Sequence, residues 1–542
     1  MYRLIYPVKT QELFVNRVAE LEVLDSYKNR LLQGEANKIA LIGTRRIGKS
    51  TILYEFIKRN LSNRELSLVY INLQGMVIEP LSFAKSYVGL ITKWLIKDTA
   101  DNFANYDDLQ FCMLRLQKFN PQAAEYLYKF IETTQQRELS LKRLLELAFN
   151  FPKILSQILN KPFIIMVDEF QEITALNNFK NLPEISGFMR DTFQTHDRIL
   201  YIFSGSYIRL MQNILENSDS PFFGQINPYY ISHFDKETSL KLIDKIVRLQ
   251  QLDIATAIKK KMIQLTSGHP FYIELLANAV YETKYIDGIE LTEENVEKIL
   301  LLQLLNEKSI LSFHLRYIYN DALGRARGTT ILHGILKILA KDAPLTITEI
   351  ANRMSRKPGL IQLSLAELMK VDLVTRKDKQ YFISDSLLRW WIYLKFYHPE
   401  GSFSLQDDLV NELSSHFREK YLQVTLELGR TKEFELHYFV TKNQGKKVGN
   451  TQLPAFKKII KNYLLPNGDE IDLFARDSES WVFELKWKNK LVGMKELQNL
   501  KKKIQVDRYV LISKKGFTKE LIDFSSQSPE VILWSADVLA NL

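Results

Sequence analysis

Apolar positions along this chain fall into two rhythms. Short, branched runs at Ile39–Ile42, Leu68–Leu73, Phe163–Val167 and Ile199–Phe203 are continuous rather than alternating, as in strands buried on both faces of a parallel sheet. Between and after them, leucines and aromatics recur at helical spacing. The stretch from about Pro80 to Asn160 carries no strand signal and reads as helices inserted between two sheet strands, its aromatics serving as core. An earlier helix is expected to start at Asn16, a candidate N-cap, and to run to about Gln33. Beyond Phe234 the pattern is helical, broken at Ser267–Phe271, where Gly268 and Pro270 end one helix and start another. Strands alternating with helices predict an α/β core.

From Thr329 the rhythm changes. A helix at Thr329–Ala340, a second capped by Thr346, a third from Pro358 to about Met369 and two strands within Leu373–Ile383 make a winged helix-turn-helix. The third helix offers Arg356, Lys357, Gln362 and Lys370, with no evident base-reading set, so DNA contact and a coupling or protein-docking role both stay open. Ser384–Trp391 leads into an aromatic helix that reads as a brace. After helical sequence from Leu405 come strand-like runs at Ile459–Leu465, Glu470–Ala475 and Trp481–Trp487, separated by hairpin-type turns. The expected organisation is an α/β core at 1–235 with a helical insertion at about 80–160, a helical lid at 236–328, a winged helix at 329–400 and a last α/β domain at 401–542.

The candidate chemistry begins at the first strand. Gly43, Thr44, Arg45, Arg46, Ile47, Gly48, Lys49, Ser50 and Thr51 follow it and open a helix, giving G-x-x-x-x-G-K-S in the order strand, loop, helix. Glycines let the backbone curl around a phosphate at the positive end of the helix. Lys49 then reaches the β- and γ-phosphates of a nucleoside triphosphate such as ATP, and the Ser50 hydroxyl ligates Mg²⁺. Asp168 and Glu169 end a later buried strand, at the sheet edge where α/β folds bind ligands. Asp168 is expected to hold Mg²⁺ and Glu169 to orient or deprotonate the attacking water. Ser206, with Ser204 second, is the candidate sensor of the γ-phosphate. Arg17 and Glu20 either pack beside the base or ribose or form a solvated helix start, and His269 either touches the nucleotide or marks a helix junction.

Composition narrows the classes. A net charge of +10 and a pI near 9.1 permit a nucleic-acid partner. One cysteine, Cys112, excludes internal disulfides and cysteine-based metal sites, and the eight histidines show no ligand spacing. No signal peptide and no apolar run of about 18 residues is seen, so a cytoplasmic chain without a membrane partner is expected.

A second candidate centre lies near the C-terminal end. Glu484 and Lys486 share a face of their strand by period-two alternation, and Asp472 on the neighbouring strand can reach it. Two carboxylates and an ammonium suit Mg²⁺-assisted phosphodiester hydrolysis, or else form the solvated face of an antiparallel sheet.

These motifs carry a resemblance. F-x-x-R-x-x-E-L at Phe14–Leu21, GTRRIGKST at Gly43–Thr51, VDEFQ at Val167–Gln171, SGS at Ser204–Ser206 and GHPF at Gly268–Phe271 resemble the archaeal ATPase group of the STAND-type P-loop ATPases. Members often continue into a winged helix and a PD-(D/E)xK nuclease-like domain, which Asp469–Lys488 and Tyr509–Thr518 resemble. The resemblance implies an α/β P-loop ATPase with a parallel sheet and helical lid, then a winged helix-turn-helix, then an α/β restriction-endonuclease-like domain. It implies ATP and Mg²⁺ as cofactors, His269 and Pro270 as the lid sensor, and Asp472, Glu484 and Lys486 as a nuclease triad completed by Glu435, with Glu419 second. The expected partner is nucleic acid, DNA before RNA, with a protein partner or a second copy of the chain as a further associate. Relatives often carry arginine where this chain has Gln225, in Phe223–Gln225, which implies slow hydrolysis or an arginine supplied elsewhere.

Overall fold

The structure, a computed structural model, describes residues 12–96, 106–136, 140–215, 217, 220–377, 379–398, 404–427, 436–437, 439–465, 470–486, 490–535 and 538. The chain divides into two compact units, Met1–Ile231 and Ser232–Leu542.

In the first unit the apolar runs become β1 (Lys38–Ile42), β2 (Ser67–Asn72), β3 (Phe163–Asp168) and β4 (Ile199–Gly205). A fifth strand, β5 (Asn227–Tyr230), was not legible because Pro228 sits within it. The strand order β2-β3-β4-β1-β5 puts β5 at an edge, where a proline costs no ladder bond on its open side. All pairings are parallel, so the C-terminal ends of the strands share one sheet edge. Because β4 lies between β1 and β3, Ser204–Ser206 falls between the phosphate loop and the Asp168–Glu169 pair.

Four helices fill the region between β2 and β3: Pro80–Ile96, Leu109–Phe119, Pro121–Thr134 and Leu141–Ile158. Asp108, Asn120 and Ser140 cap the last three through side-chain oxygens. Their aromatics are core: the Phe149 ring lies 5.9 Å from Phe83 and 5.7 Å from Tyr87. The first described helix spans Val18–Leu32 and corrects the expected cap. Asn16 and Arg17 both take left-handed backbone, and the N-cap is Arg17, with no side-chain cap bond.

His196 shows how this unit responds to acid. Its ring is buried, with Nδ1 2.8 Å from Tyr201 OH, and burial pulls its pKa from 6.5 down to about 3. The folded chain keeps the ring neutral while the unfolded chain binds a proton below 6.5. Stability therefore falls as pH drops from that value towards 3, by about 1.4 kcal/mol per pH unit from this group. Thermal unfolding between about pH 7 and 5 is expected to show a falling midpoint, and His196→Gln to flatten that slope.

The second unit begins with helices Lys236–Leu249, Thr256–Thr266, Pro270–Tyr285, Glu293–Leu305 and Ile310–Arg325. Helices Thr329–Asp342, Ile347–Met354 and Pro358–Lys370 follow, then the antiparallel hairpin of β6 (Val374–Lys377) and β7 (Gln380–Ile383). Thr346 and Glu349 close a capping box. Helix Ser386–Tyr397 ties this segment to the preceding helices: Trp391 Nε1 donates to Ser312 Oγ at 2.9 Å, and the buried Arg389 guanidinium donates to the Ala340 and Ala343 carbonyls, each at 3.1 Å. On helix Asp408–Glu427, Arg418 donates to the buried Glu297 at 2.8 Å; Lys261 pairs with the same carboxylate.

After the small hairpin of β8 (Lys447–Val448) and β9 (Thr451–Gln452), a second five-stranded sheet is built from β10 (Lys458–Leu464), β11 (Glu470–Arg476), β12 (Ser480–Lys486), β13 (Arg508–Ser513) and β14 (Val531–Ser535), in that order. Its first two pairings are antiparallel and its last two parallel, with helices Met494–Lys503 and Lys519–Gln527 as the crossovers. Apolar clusters cover both faces, one around Phe483 and Trp534, the other around Val482, Leu497 and Leu521.

Candidate nucleotide site and a second acidic site

The phosphate loop is shaped by its second glycine. Gly48 has φ +106°, a left-handed conformation that a side chain would strain, and it is the N-cap of helix Lys49–Asn60. Arg46 also has positive φ, at 58°. Thr44 and Arg46 are exposed, Ile47 is fully buried, and Thr51 is half-buried in the helix. Arg45 reaches Tyr207, its guanidinium carbon 5.1 Å from the ring centroid. Arg17 is buried and donates to the Ile47 carbonyl and to Glu20, each at 2.8 Å, so it acts on the loop's own backbone.

Lys49 links the elements of the sheet edge. Its ammonium donates to the Gly43 carbonyl at 2.9 Å, the Thr44 carbonyl at 3.0 Å and Ser206 Oγ at 2.9 Å. Burial pushes its pKa below the usual lysine range, while Glu169 and Asp168 act to raise it. Ser206 Oγ in turn donates to Glu169 Oε1 at 2.5 Å, and Gln171 Nε2 donates to Glu169 Oε2 at 2.6 Å. Glu169 itself has φ 54° and ψ 47°, backbone that turns its carboxylate away from the strand direction.

Asp168 is 1% exposed and fully coordinated by donors. Its Oδ2 accepts from Ser50 Oγ at 2.6 Å and Tyr70 OH at 2.8 Å; its Oδ1 accepts from Ser204 Oγ and from the Glu169 N–H at 3.1 Å. Burial, with the adjacent Asp168 charge, holds the Tyr70 phenol far above its usual pKa, so it remains a donor. Ser50 and Asp168 thus offer hard oxygen atoms side by side, the donor set Mg²⁺ prefers. A lysine, a hydroxyl and two carboxylates gathered at the mouth of a glycine-bounded loop suit an anionic phosphate chain.

Residues 14–276 match the family model of an ATPase domain predominantly from Archaea. The loop, the Lys49 network and the Asp168–Glu169 pair all lie inside the matched residues. Among solved structures, the chain is similar to the Walker-type ATPase of Pyrococcus abyssi, at 17% identity over 70% of this chain and 96% of that one, with a TM-score of 0.42. It is also similar to the ORC2 protein of Aeropyrum pernix in its ADPNP–ADP complexes, at 14% identity over 70% and 95%, with a TM-score of 0.42. A third is the RuvB Holliday junction branch migration motor of Thermotoga maritima, at 13% identity over 71% and 97%, with a TM-score of 0.32. No curated protein matches the chain. Among the described residues, no helix is long and apolar enough to cross a membrane.

The match ends within helix Pro270–Tyr285, which Pro270 opens and His269 precedes as N-cap. His269 is buried, stacked on Tyr272 at 4.3 Å and edge-on to His233 at 5.0 Å. Gly268 is required before it: φ is +72°, and a Cβ there would lie 2.2 Å from the Phe234 carbonyl oxygen.

In the second sheet, the register pairing Leu473 with Phe483 and Phe474 with Val482 sets Asp472 opposite Glu484. Both carboxylates are buried, Glu484 being 3% exposed. Asp472 Oδ2 accepts the Leu485 N–H at 2.6 Å, and Lys486 Nζ donates to Glu484 Oε1 at 2.9 Å. Glu484 Oε2 has no hydrogen-bond partner among the described residues, a buried acceptor that a cation would satisfy. Glu435 lies outside the described residues, as does the side chain of Glu419. Among the described residues no group of three or more His, Cys, Asp or Glu side chains gathers as a metal-binding set. Sequence reasoning missed Tyr70 and Gln171. Tyr70 carries no motif, and its contact depends on β2 lying beside β3, which only the strand order supplies.

Proposed function

We propose that the first unit binds ATP with Mg²⁺ and hydrolyses it as a STAND-type switch, and that the C-terminal sheet is a PD-(D/E)xK-like site acting on DNA. The continuous set of contacts from Lys49 through Ser206 to Glu169 carries the ATPase reading. Lys49 and the loop bind the triphosphate and fix its γ-phosphoryl group. Glu169 accepts a proton from the attacking water, whose oxygen forms a bond to the γ-phosphorus as the bond to the leaving ADP oxygen breaks. Ser206, bonded to both Lys49 and Glu169, couples the state of the phosphate to the base. Mg²⁺, held by Ser50 and Asp168, would neutralise charge on the phosphates. Lid helices 236–328, with His269 and Pro270 at their junction, would close and reopen with the nucleotide state.

The second part of the reading rests on Glu484 Oε2, buried and unpartnered beside Asp472, with Lys486 at the same strand end. Lys514 and Lys515 directly follow β13, whose Ser513 pairs with Lys486, adding positive charge for a phosphodiester backbone. The three helices and hairpin at 329–383 would form a winged helix. Its third helix exposes Leu360 at 39% and Leu363 at 69% where a base-reading helix presents polar groups, which favours protein docking over transcriptional control.

The test is cleavage of circular and linear DNA with Mg²⁺ or Mn²⁺, with and without ATP. Cleavage that depends on ATP and disappears in the Asp472→Ala, Glu484→Ala double variant is expected. ATP turnover without cleavage of either substrate would leave an ATPase switch whose C-terminal domain binds DNA or protein without cutting it.

A further inference from the structure

Asp168 is held by more than the phosphate loop. Ser50 and Tyr54 lie one turn apart on helix Lys49–Asn60 and so share a face. Ser50 donates to Asp168 Oδ2 directly, at 2.6 Å. Tyr54 reaches the same oxygen through a second residue: its hydroxyl lies 3.3 Å from that of Tyr70, which donates to Oδ2 at 2.8 Å. The two rings pack with centroids 5.3 Å apart. Tyr70 stands on β2, where the register sets Tyr70 against Met166 and Asn72 against Asp168, so the phenol and the carboxylate lie on one face of neighbouring strands.

The two donors to Oδ2 differ in what else they serve. The Ser50 hydroxyl must turn a lone pair to a cation while keeping its proton on Asp168, which it can do only if the carboxylate does not rotate. The Tyr70 hydroxyl has no such second duty and is itself held by Tyr54.

We propose that Tyr70 is the positioning residue of the Mg²⁺ site: its phenol, backed by Tyr54, fixes the rotation of the Asp168 carboxylate towards Ser50 and so sets the affinity for the cation. This rests on the ATPase reading above. Outer hydrogen-bond partners of metal-holding carboxylates commonly tune affinity in this way.

The test uses the full chain and a fluorescent methylanthraniloyl derivative of ATP, whose binding is followed as Mg²⁺ is raised from an EDTA-treated start. Tyr70→Phe, which removes one oxygen and keeps the ring, is expected to raise the half-saturating Mg²⁺ concentration about tenfold. Binding in EDTA and the thermal unfolding midpoint are expected to stay as in the unaltered chain. Tyr54→Phe, one bond further from Asp168, is expected to shift the same value by about twofold. An unchanged Mg²⁺ dependence in Tyr70→Phe would overturn the inference and leave the ATPase reading standing. Equal losses of binding in EDTA and of thermal midpoint would also overturn it, by showing a structural role alone. If the unaltered chain bound the analogue with no response to Mg²⁺, the ATPase reading would fall, and this inference with it.

Discussion

Lys49→Ala is expected to weaken ATP binding by at least about two powers of ten, because it removes charge-assisted hydrogen bonds worth about 3 kcal/mol together. The ammonium donates to Gly43, Thr44 and Ser206. It is therefore preorganised at the loop mouth, and little side-chain entropy is lost when a phosphate oxygen replaces one of those acceptors. Alanine removes the charge and also leaves the buried Gly43 carbonyl short of a donor, so a modest loss of stability is expected too. The measurement is equilibrium binding of ATP with a thermal melt on the same samples. Lys49→Arg separates the effects: it keeps a charge but places a planar fork where a compact ammonium fits, so it should keep the melt and lose the binding.

Glu169→Gln is expected to have the opposite profile: ATP binding within about threefold of the unaltered chain and turnover lower by about 10²- to 10⁴-fold, the size of a lost general base. The amide is isosteric: its oxygen can keep accepting from Ser206, and its NH2 can donate to Gln171 once the Gln171 amide turns its oxygen inward, so the loop stays in place while the proton acceptor is gone. The chain should then accumulate with ATP bound. Single-turnover phosphate release beside analogue binding checks both halves. Ser206→Ala is the informative companion, since the Ser206 hydroxyl is bonded to both Lys49 and Glu169.

Much of this site was legible from the chain alone because its parts are local. The glycine spacing, Lys49 and Ser50 sit in one short segment between an apolar run and an amphipathic one, and Asp168–Glu169 ends another apolar run. Ser206 was legible as a small polar residue at a strand end; its position between Lys49 and Glu169 follows from β4 lying between β1 and β3, which the sequence does not state. The contacts of Tyr70, and of Gln171 within the VDEFQ motif, were invisible for the same reason, since their partners are set by strand neighbours and by the turn at Glu169. β5 escaped because Pro228 reads as a break, and it is tolerated only at an edge. The Asn16 cap failed where left-handed backbone at Asn16 and Arg17 replaced a side-chain cap. In the C-terminal sheet, alternation placed Glu484 and Lys486 together, but the cross-strand position of Asp472 needed the register of β11 and β12.

The central claim, hydrolysis of ATP at the Lys49–Ser206–Glu169 network, is tested most directly by release of inorganic phosphate from ATP in Mg²⁺. The unaltered chain, Lys49→Ala and Glu169→Gln would be purified in parallel. The account predicts release that saturates with ATP in the unaltered chain and is lost in both variants, with binding kept in Glu169→Gln alone. Equal release from all three preparations, or none from the unaltered chain while it binds ATP and Mg²⁺, would contradict it.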